Sequence, residues 1–216
     1  DLIGGSNIYT SVIARELHNR NHEVVVIAAS TDKKDSIKLK GGIKIQYFHP
    51  ANVSTSSEIG KESILKQGLW TILDIYNHHS YIKLIKILKE ENPDIVHLHT
   101  PLDITLSAFG AVKKLNLPLI FTAHDYLLLC RRVVLLHKSG EICTNKNINK
   151  LCKFYRILTK KIVGNKADVV IFPSEFILRM FRNNGFFQKT KKVILPHPIR
   201  LNNINTSKDN AVISKP

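Results

Sequence analysis

The chain has 216 residues, 44% hydrophobic and 23% charged, the composition of an ordinary soluble globular protein long enough to bury a core without cross-links. Three cysteines do not make a secreted disulfide scaffold, and no apolar run approaches the roughly 20 residues that span a bilayer. Thirty-two Lys and Arg against 17 Asp and Glu give a net charge of +15, which admits nucleic acid, an anionic membrane surface or a phosphate-bearing ligand as partner. The cations are spread out, densest at Lys33-Lys34, Lys160-Lys161 and Lys189-Thr190-Lys191-Lys192, so a solvated basic surface is the plain reading. No nucleic-acid-binding motif accompanies the charge and aromatics make up only 7%, so no nucleic-acid partner is expected. The chain begins at Asp1 without a Met and shows no signal peptide; a cytoplasmic location, with membrane association on the cytoplasmic face as an option, is the default.

In chain order, Ile8, Val12, Ile13 and Leu17 share one face of a predicted helix over residues 7–20. The β-branched run 24–29 predicts a strand covered on both faces, and the alternation of Ile43, Ile45 and Tyr47 a more exposed strand over 43–48. Residues 49–62 are polar and aperiodic and read as a loop. A long amphipathic stretch, 64–91, predicts helix with a break near Asn77-His78-His79; its end sets Ile82, Ile85 and Leu88 beside Lys83, Lys86 and Lys89. Short apolar runs at 94–98, 119–122, 169–172 and 193–195 predict four more strands, mostly bordered by Pro or Asp. Helices are predicted over 102–115 and over 174–184, the second capped by Ser174 with Glu175 in its first turn. Residues 126–155 read as a loop, and 202–216, rich in Asn, Ser and Lys, as a linker. Strands alternating with helices predict an α/β domain: a Rossmann-like open parallel sheet with helices on both faces. Both ends read as cut, because a Gly-Gly turn entering a helix normally follows a strand.

Gly4-Gly5-Ser6-Asn7 opens the first helix. Glycine admits close approach of a ligand, and free amides at a helix N-terminus attract phosphate, although a plain capped turn explains the tetrapeptide as well. It matches neither GxGxxG nor a Walker loop. Pro93-Asp94-Ile95-Val96-His97-Leu98-His99-Thr100 is a strand ending in polar residues; alternation turns His97 and His99 to one side, with His99 nearer the crevice where open sheets bind ligands. Phe121-Thr122-Ala123-His124-Asp125-Tyr126 repeats the arrangement. His124 can donate to a phosphate or sugar hydroxyl or carry a proton, and Asp125 can hold its ring.

The ordered set of motifs resembles the amino-terminal domain of the GT-B glycosyltransferases of family 4, or group 1, over nearly all of residues 1–200. The set comprises the Gly-Gly turn, Asn21-His22-Glu23-Val24, 93–99, 122–125, Ala167-Asp168 leading to Pro173-Ser174-Glu175-Phe176, and Leu195-Pro196-His197-Pro198-Ile199. The resemblance implies residues 1–200 as one half of a GT-B fold and 201–216 as a linker toward a second domain, across a cleft, that holds most of the nucleotide-sugar. It implies that Gly4 and Gly5 approach the donor diphosphate and that His124 contacts the transferred sugar. It also implies that anomeric configuration is retained, with no metal or other cofactor. His124 and Asp125 are then the catalytic candidates and His99 and Ser174 the substrate-binding ones. Some members carry four cysteines after the His-Asp pair; here Cys130, Cys143 and Cys152 remain, with Tyr155 where the fourth would stand. A zinc site would need a further ligand such as His137, and three reduced thiols are the simpler reading.

The expected function is sugar transfer from a nucleotide-sugar donor to a glycan, lipid-linked or small-molecule acceptor, this chain supplying the acceptor side and being incomplete as a catalyst by itself. The basic face at Lys83, Lys86 and Lys89 offers a peripheral contact with an anionic membrane. The alternative is a non-catalytic module derived from such an enzyme that binds acceptor or membrane.

Overall fold

The computed structural model describes residues 4–30, 32, 34–52, 61, 63, 75–137, 139–144 and 147–197. The expected linker, most of the 49–62 loop and the first part of the 64–91 helix lie outside them.

Two hydrogen-bonded ladders carry the fold. Strands β4 (Val96–Leu98), β5 (Leu119–Thr122), β6 (Val169–Phe172) and β7 (Lys191–Ile194) form an all-parallel sheet in that order. All four therefore end at one edge. Strands β1 (Val25–Ala29) and β3 (Ile43–Phe48) pair in parallel, and β2 (Ser36–Lys40) adds to β3 antiparallel. The strand β2 departs from the all-parallel expectation. Gly41 and Gly42, at φ 56° and 80°, make the two-residue turn into β3, and a tight hairpin of this hand needs positive φ at both positions.

Helix α1 (Gly5–Asn19) buries Tyr9 and Ala14, while Ile8 and Leu17 stay exposed. The expected face of Ile8 and Leu17 is thus corrected: the helix is rolled so that Tyr9 points inward. The break expected near 77–79 is a helix start. Asn77 caps α2 (His78–Glu91), accepting from the Ser80 amide at 3.1 Å and donating to the Ala51 carbonyl at 2.7 Å. Helix α3 (Ser107–Lys114) starts later than expected, because Asp103 and Thr105 take left-handed φ of 62° and 77°. Helix α4 (Lys150–Val163), capped by Asn149, replaces the end of the expected 126–155 loop. Ser174 caps α5 (Glu175–Asn183) as expected.

The main core lies around the parallel sheet, where Phe109, Phe121, Phe172, Phe181, Phe186 and Phe187 pack together. Each such side chain contributes about 1.5–3 kcal/mol by leaving water. A second cluster joins Phe48 of β3 to Leu84 and Ile87 of α2 and Ala108 and Ala111 of α3. Ile27 and Leu98 pack against both, so apolar contact ties the two sheets.

Helix α4 holds the segment that follows β5. Tyr155 donates its hydroxyl to the Leu127 carbonyl at 2.7 Å, Thr159 to that of Leu128 at 2.7 Å, and the Arg156 Nε to that of Leu129 at 2.8 Å. Three consecutive loop carbonyls are thereby fixed, immediately after His124 and Asp125.

Candidate active site

At the carboxyl edge of the parallel sheet, four histidines converge. His97 lies within β4 and His99 one residue past it, His124 two residues past β5, and His197 three past β7. His99 Nδ1 is 3.0 Å from His124 Nε2, and His124 Nδ1 is 3.1 Å from His197 Nε2. This is a hydrogen-bonded file of imidazoles from the sheet edge to the exposed His197. His97 and His99 do turn to one side, with ring centroids 4.1 Å apart. The His97 Nε2 pairs with Thr122 Oγ1 at 2.8 Å inside the sheet. Tyr9 reaches in from α1, its ring 4.8 Å from His124, 4.7 Å from His197 and 5.6 Å from His99. Its hydroxyl bonds Thr122, so that one buried threonine serves both Tyr9 and His97.

The electrostatics follow from burial. Desolvation holds His97 and His124 at a pKa of about 4, and His99, which also faces its neighbouring imidazoles, lower still. His197 is shifted down for the same desolvation reason, and burial pushes the Tyr9 hydroxyl up. A neutral imidazole has one donor and one acceptor nitrogen, which is what a file of this kind requires at each link.

Asp125 does not hold the His124 ring. Both ring nitrogens of His124 meet other imidazoles, and Asp125 Oδ1 accepts the Leu127 amide at 2.8 Å. Burial raises the Asp125 pKa against that bond. Ser174 spends its hydroxyl on the α5 cap, accepting from the Ile177 amide at 3.4 Å. Gly4 takes φ 96° ahead of α1, a conformation that favours glycine, and none of the described residues fills the space where a Cβ of Gly4 or Gly5 would stand. The first turn of α1 carries no acidic residue and no side-chain cap, and Tyr9 places this end of the helix beside the histidines. Thr100, next to His99, keeps a buried hydroxyl without a hydrogen-bond partner among the described residues.

Cys130, Cys143 and Cys152 are free thiols around Arg156, whose guanidinium also donates to the Cys143 carbonyl at 3.4 Å. His137 is taken up with Ser139 at 3.0 Å. Among the described residues no group of three His, Cys, Asp or Glu is disposed to hold a metal ion. None of the described helices is long and apolar enough to cross a membrane. Tyr9, Thr122 and His197 were absent from the sequence-derived site. The rule that found His124, a polar residue just past an apolar strand, applies equally to His197; nothing in the local sequence marks Tyr9.

Residues 3–203 match the family described as Glycosyltransferase Family 4. The chain is 26% identical over 203 residues to an uncharacterized 42.6 kDa protein in the cps region of Klebsiella pneumoniae, covering 93% of this chain and 52% of that protein. It therefore spans about half the length of this curated relative. Among solved structures it resembles a trehalose-6-phosphate protein from E. coli bound with UDP-2-fluoro glucose, with a TM-score of 0.52 and 13% identity over 93% of this chain and 47% of that one. A UDP-N-acetylglucosamine 2-epimerase from Rickettsia bellii aligns at a TM-score of 0.40 and 15% identity, over 79% of this chain and 44% of that one. With the match running across most of its length, the chain belongs to glycosyltransferase family 4.

Proposed function

We propose that the chain supplies the acceptor-side half of an enzyme that moves a sugar from a nucleotide-sugar donor to a glycan, lipid-linked or small-molecule acceptor, with retention and without a metal or organic cofactor. The observation that carries this reading is the convergence of His99, His124, His197 and Tyr9 at the carboxyl edge of the sheet, beside the open Gly4-Gly5 turn. The cps-region location of the Klebsiella relative favours polysaccharide biosynthesis, and the ligand of the E. coli structure makes a UDP-sugar the first donor to assay.

In this reading the donor diphosphate lies against the amino-terminal end of α1, where the helix dipole favours negative charge. His124 bonds a hydroxyl of the transferred sugar through Nδ1, which becomes available when the exposed His197 swings aside. His99 stays on Nε2 and keeps the ring oriented. Gly4, Gly5, His99 and His124 thus act by positioning and by stabilising charge that develops as the glycosidic bond to the diphosphate breaks. Asp125 contributes by fixing the turn at Leu127, and Ser174 by starting α5. A lipid-linked acceptor is met at a membrane, and peripheral contact with an anionic cytoplasmic surface belongs to the same reading.

The test is His124→Ala in the two-domain enzyme that the reading requires, assayed for sugar transfer. The expected loss in rate is roughly 10²-fold or more, the scale of a positioned hydrogen-bonding or acid–base group. Near-normal rates in a folded variant would move the assignment to His99.

A further inference from the structure

Helix α4 has part of its polarity inverted. Its buried residues are Tyr155, Arg156, Thr159 and Val163, three of them polar and occupied with loop carbonyls. Three of its apolar residues face outward: Leu151 is 78% exposed, Phe154 63% and Ile157 61%. At 100° per residue, Phe154 and Ile157 share an arc of about 120° with the exposed Lys150, Lys153, Lys160 and Lys161, and Leu151 borders it. The helix contains no Asp or Glu. The preceding segment continues the theme. Leu136 and Ile142 pair across an antiparallel bridge and are both exposed, as are Val134, Arg131 and Arg132. Glu141 is the only carboxylate in residues 131–163.

An exposed aromatic and aliphatic pair set among cations, with no carboxylate on the helix, is complementary to an apolar boundary that carries negative charge. A second copy of the chain docking here about a two-fold axis would set the same lysines against each other, so charge argues against self-association. The α2 face is a poorer candidate. Leu88 is buried, Ile85 packs on the core, and Lys83 is paired with Asp35 at 2.7 Å. We propose that α4 is the element through which the protein lies on an anionic lipid surface. Phe154 and Ile157 enter the acyl boundary, and Lys150, Lys153, Lys160 and Lys161 sit over the headgroups. The inference rests on the peripheral membrane contact of the proposed function and names the element that makes it; it uses none of the histidines, so its test is independent of turnover.

The experiment is co-sedimentation of the 216-residue chain with phosphatidylglycerol or phosphatidylcholine vesicles at low and high salt. Binding to the anionic vesicles alone, weakened by salt, is expected. At roughly fivefold per well-placed cation, Lys153→Glu with Lys160→Glu should lower it at least tenfold. Phe154→Ser with Ile157→Ser should lower it comparably, with far-UV circular dichroism unchanged because both sites are exposed. Lys86→Glu on α2 should leave it within about twofold. Absence of binding at low salt, equal binding to both vesicles, or an equal loss in Lys86→Glu would overturn the proposal. So would a dimer in sedimentation velocity that the Phe154 and Ile157 changes dissolve while vesicle binding persists.

Discussion

His97 and His124 stay neutral in the fold down to a pKa of about 4, whereas in an unfolded chain each takes up a proton near 6.5. Below pH 6.5 the unfolded state therefore binds more protons than the folded one, and stability falls with pH until the folded pKa is passed. Above pH 6.5 both states are neutral and the slope vanishes. Asp125, raised by burial, acts in the opposite sense, since acid relieves its buried charge. A difference measurement isolates the imidazole. His97→Gln keeps a polar partner for Thr122 and removes the proton site. Urea unfolding should then show a smaller loss between pH 7.5 and 5 in the variant than in the parent, and equal losses would mean that His97 is not the acid-sensitive group. The clustering of His99 and His124 was legible in the sequence because each follows an apolar strand, and parallel neighbours end at one edge. Tyr9 was not, since its role depends on the roll of α1, and the apolar residues Ile8 and Leu17 suggested the wrong face.

At the scale of one element, α4 shows why a helix can escape a reading by hydrophobic period. Its inward stripe mixes the hydrogen-bonding Tyr155, Arg156 and Thr159 with Val163, while Leu151, Phe154 and Ile157 lie outward among lysines, so its hydrophobic period does not mark the buried face. The stabilisation sits in the inward donors. Arg156 serves the Leu129 and Cys143 carbonyls and Asn184 Oδ1, the last at 2.8 Å. Arg156→Met keeps much of the volume and removes every donor. The expected loss is about 2–4 kcal/mol, since charged hydrogen bonds are worth about 1.5–3 kcal/mol and buried acceptors are left behind. Lys160→Met on the outer face should change stability by less than about 0.5 kcal/mol. Equal effects of the two in urea denaturation would contradict the clamp. The capped start of α5, by contrast, was readable, because Ser174 is a residue type that supplies the missing acceptor at a helix N-terminus, whereas Asn77 read as a break within a helix and is in fact the cap that starts one.

Across the whole molecule, the two ladders differ in how they are protected. Strands β5 and β6 are central in the parallel sheet and abut the phenylalanine core, while every residue of β2 is exposed. Native-state hydrogen exchange should therefore be slowest at β5 and β6 and fastest at β2, and comparable protection of β2 would show a covering layer over that edge. The strands at 43–48, 119–122 and 169–172 were legible to the residue, as runs long enough to be a strand and too short for a helix. Strand β2 was not, because its side chains face solvent and only the Gly41-Gly42 turn fixes its place.

Phe48 has a consequence for the order in which the chain is made. Its packing partners Leu84, Ile87, Ala108 and Ala111 all lie far downstream in the sequence. At roughly 5–20 residues per second, they leave the ribosome seconds after Phe48 does. Throughout that interval Phe48 lacks the α2 and α3 side chains that bury it. Burial of this end of β3 thus waits on α2 and α3.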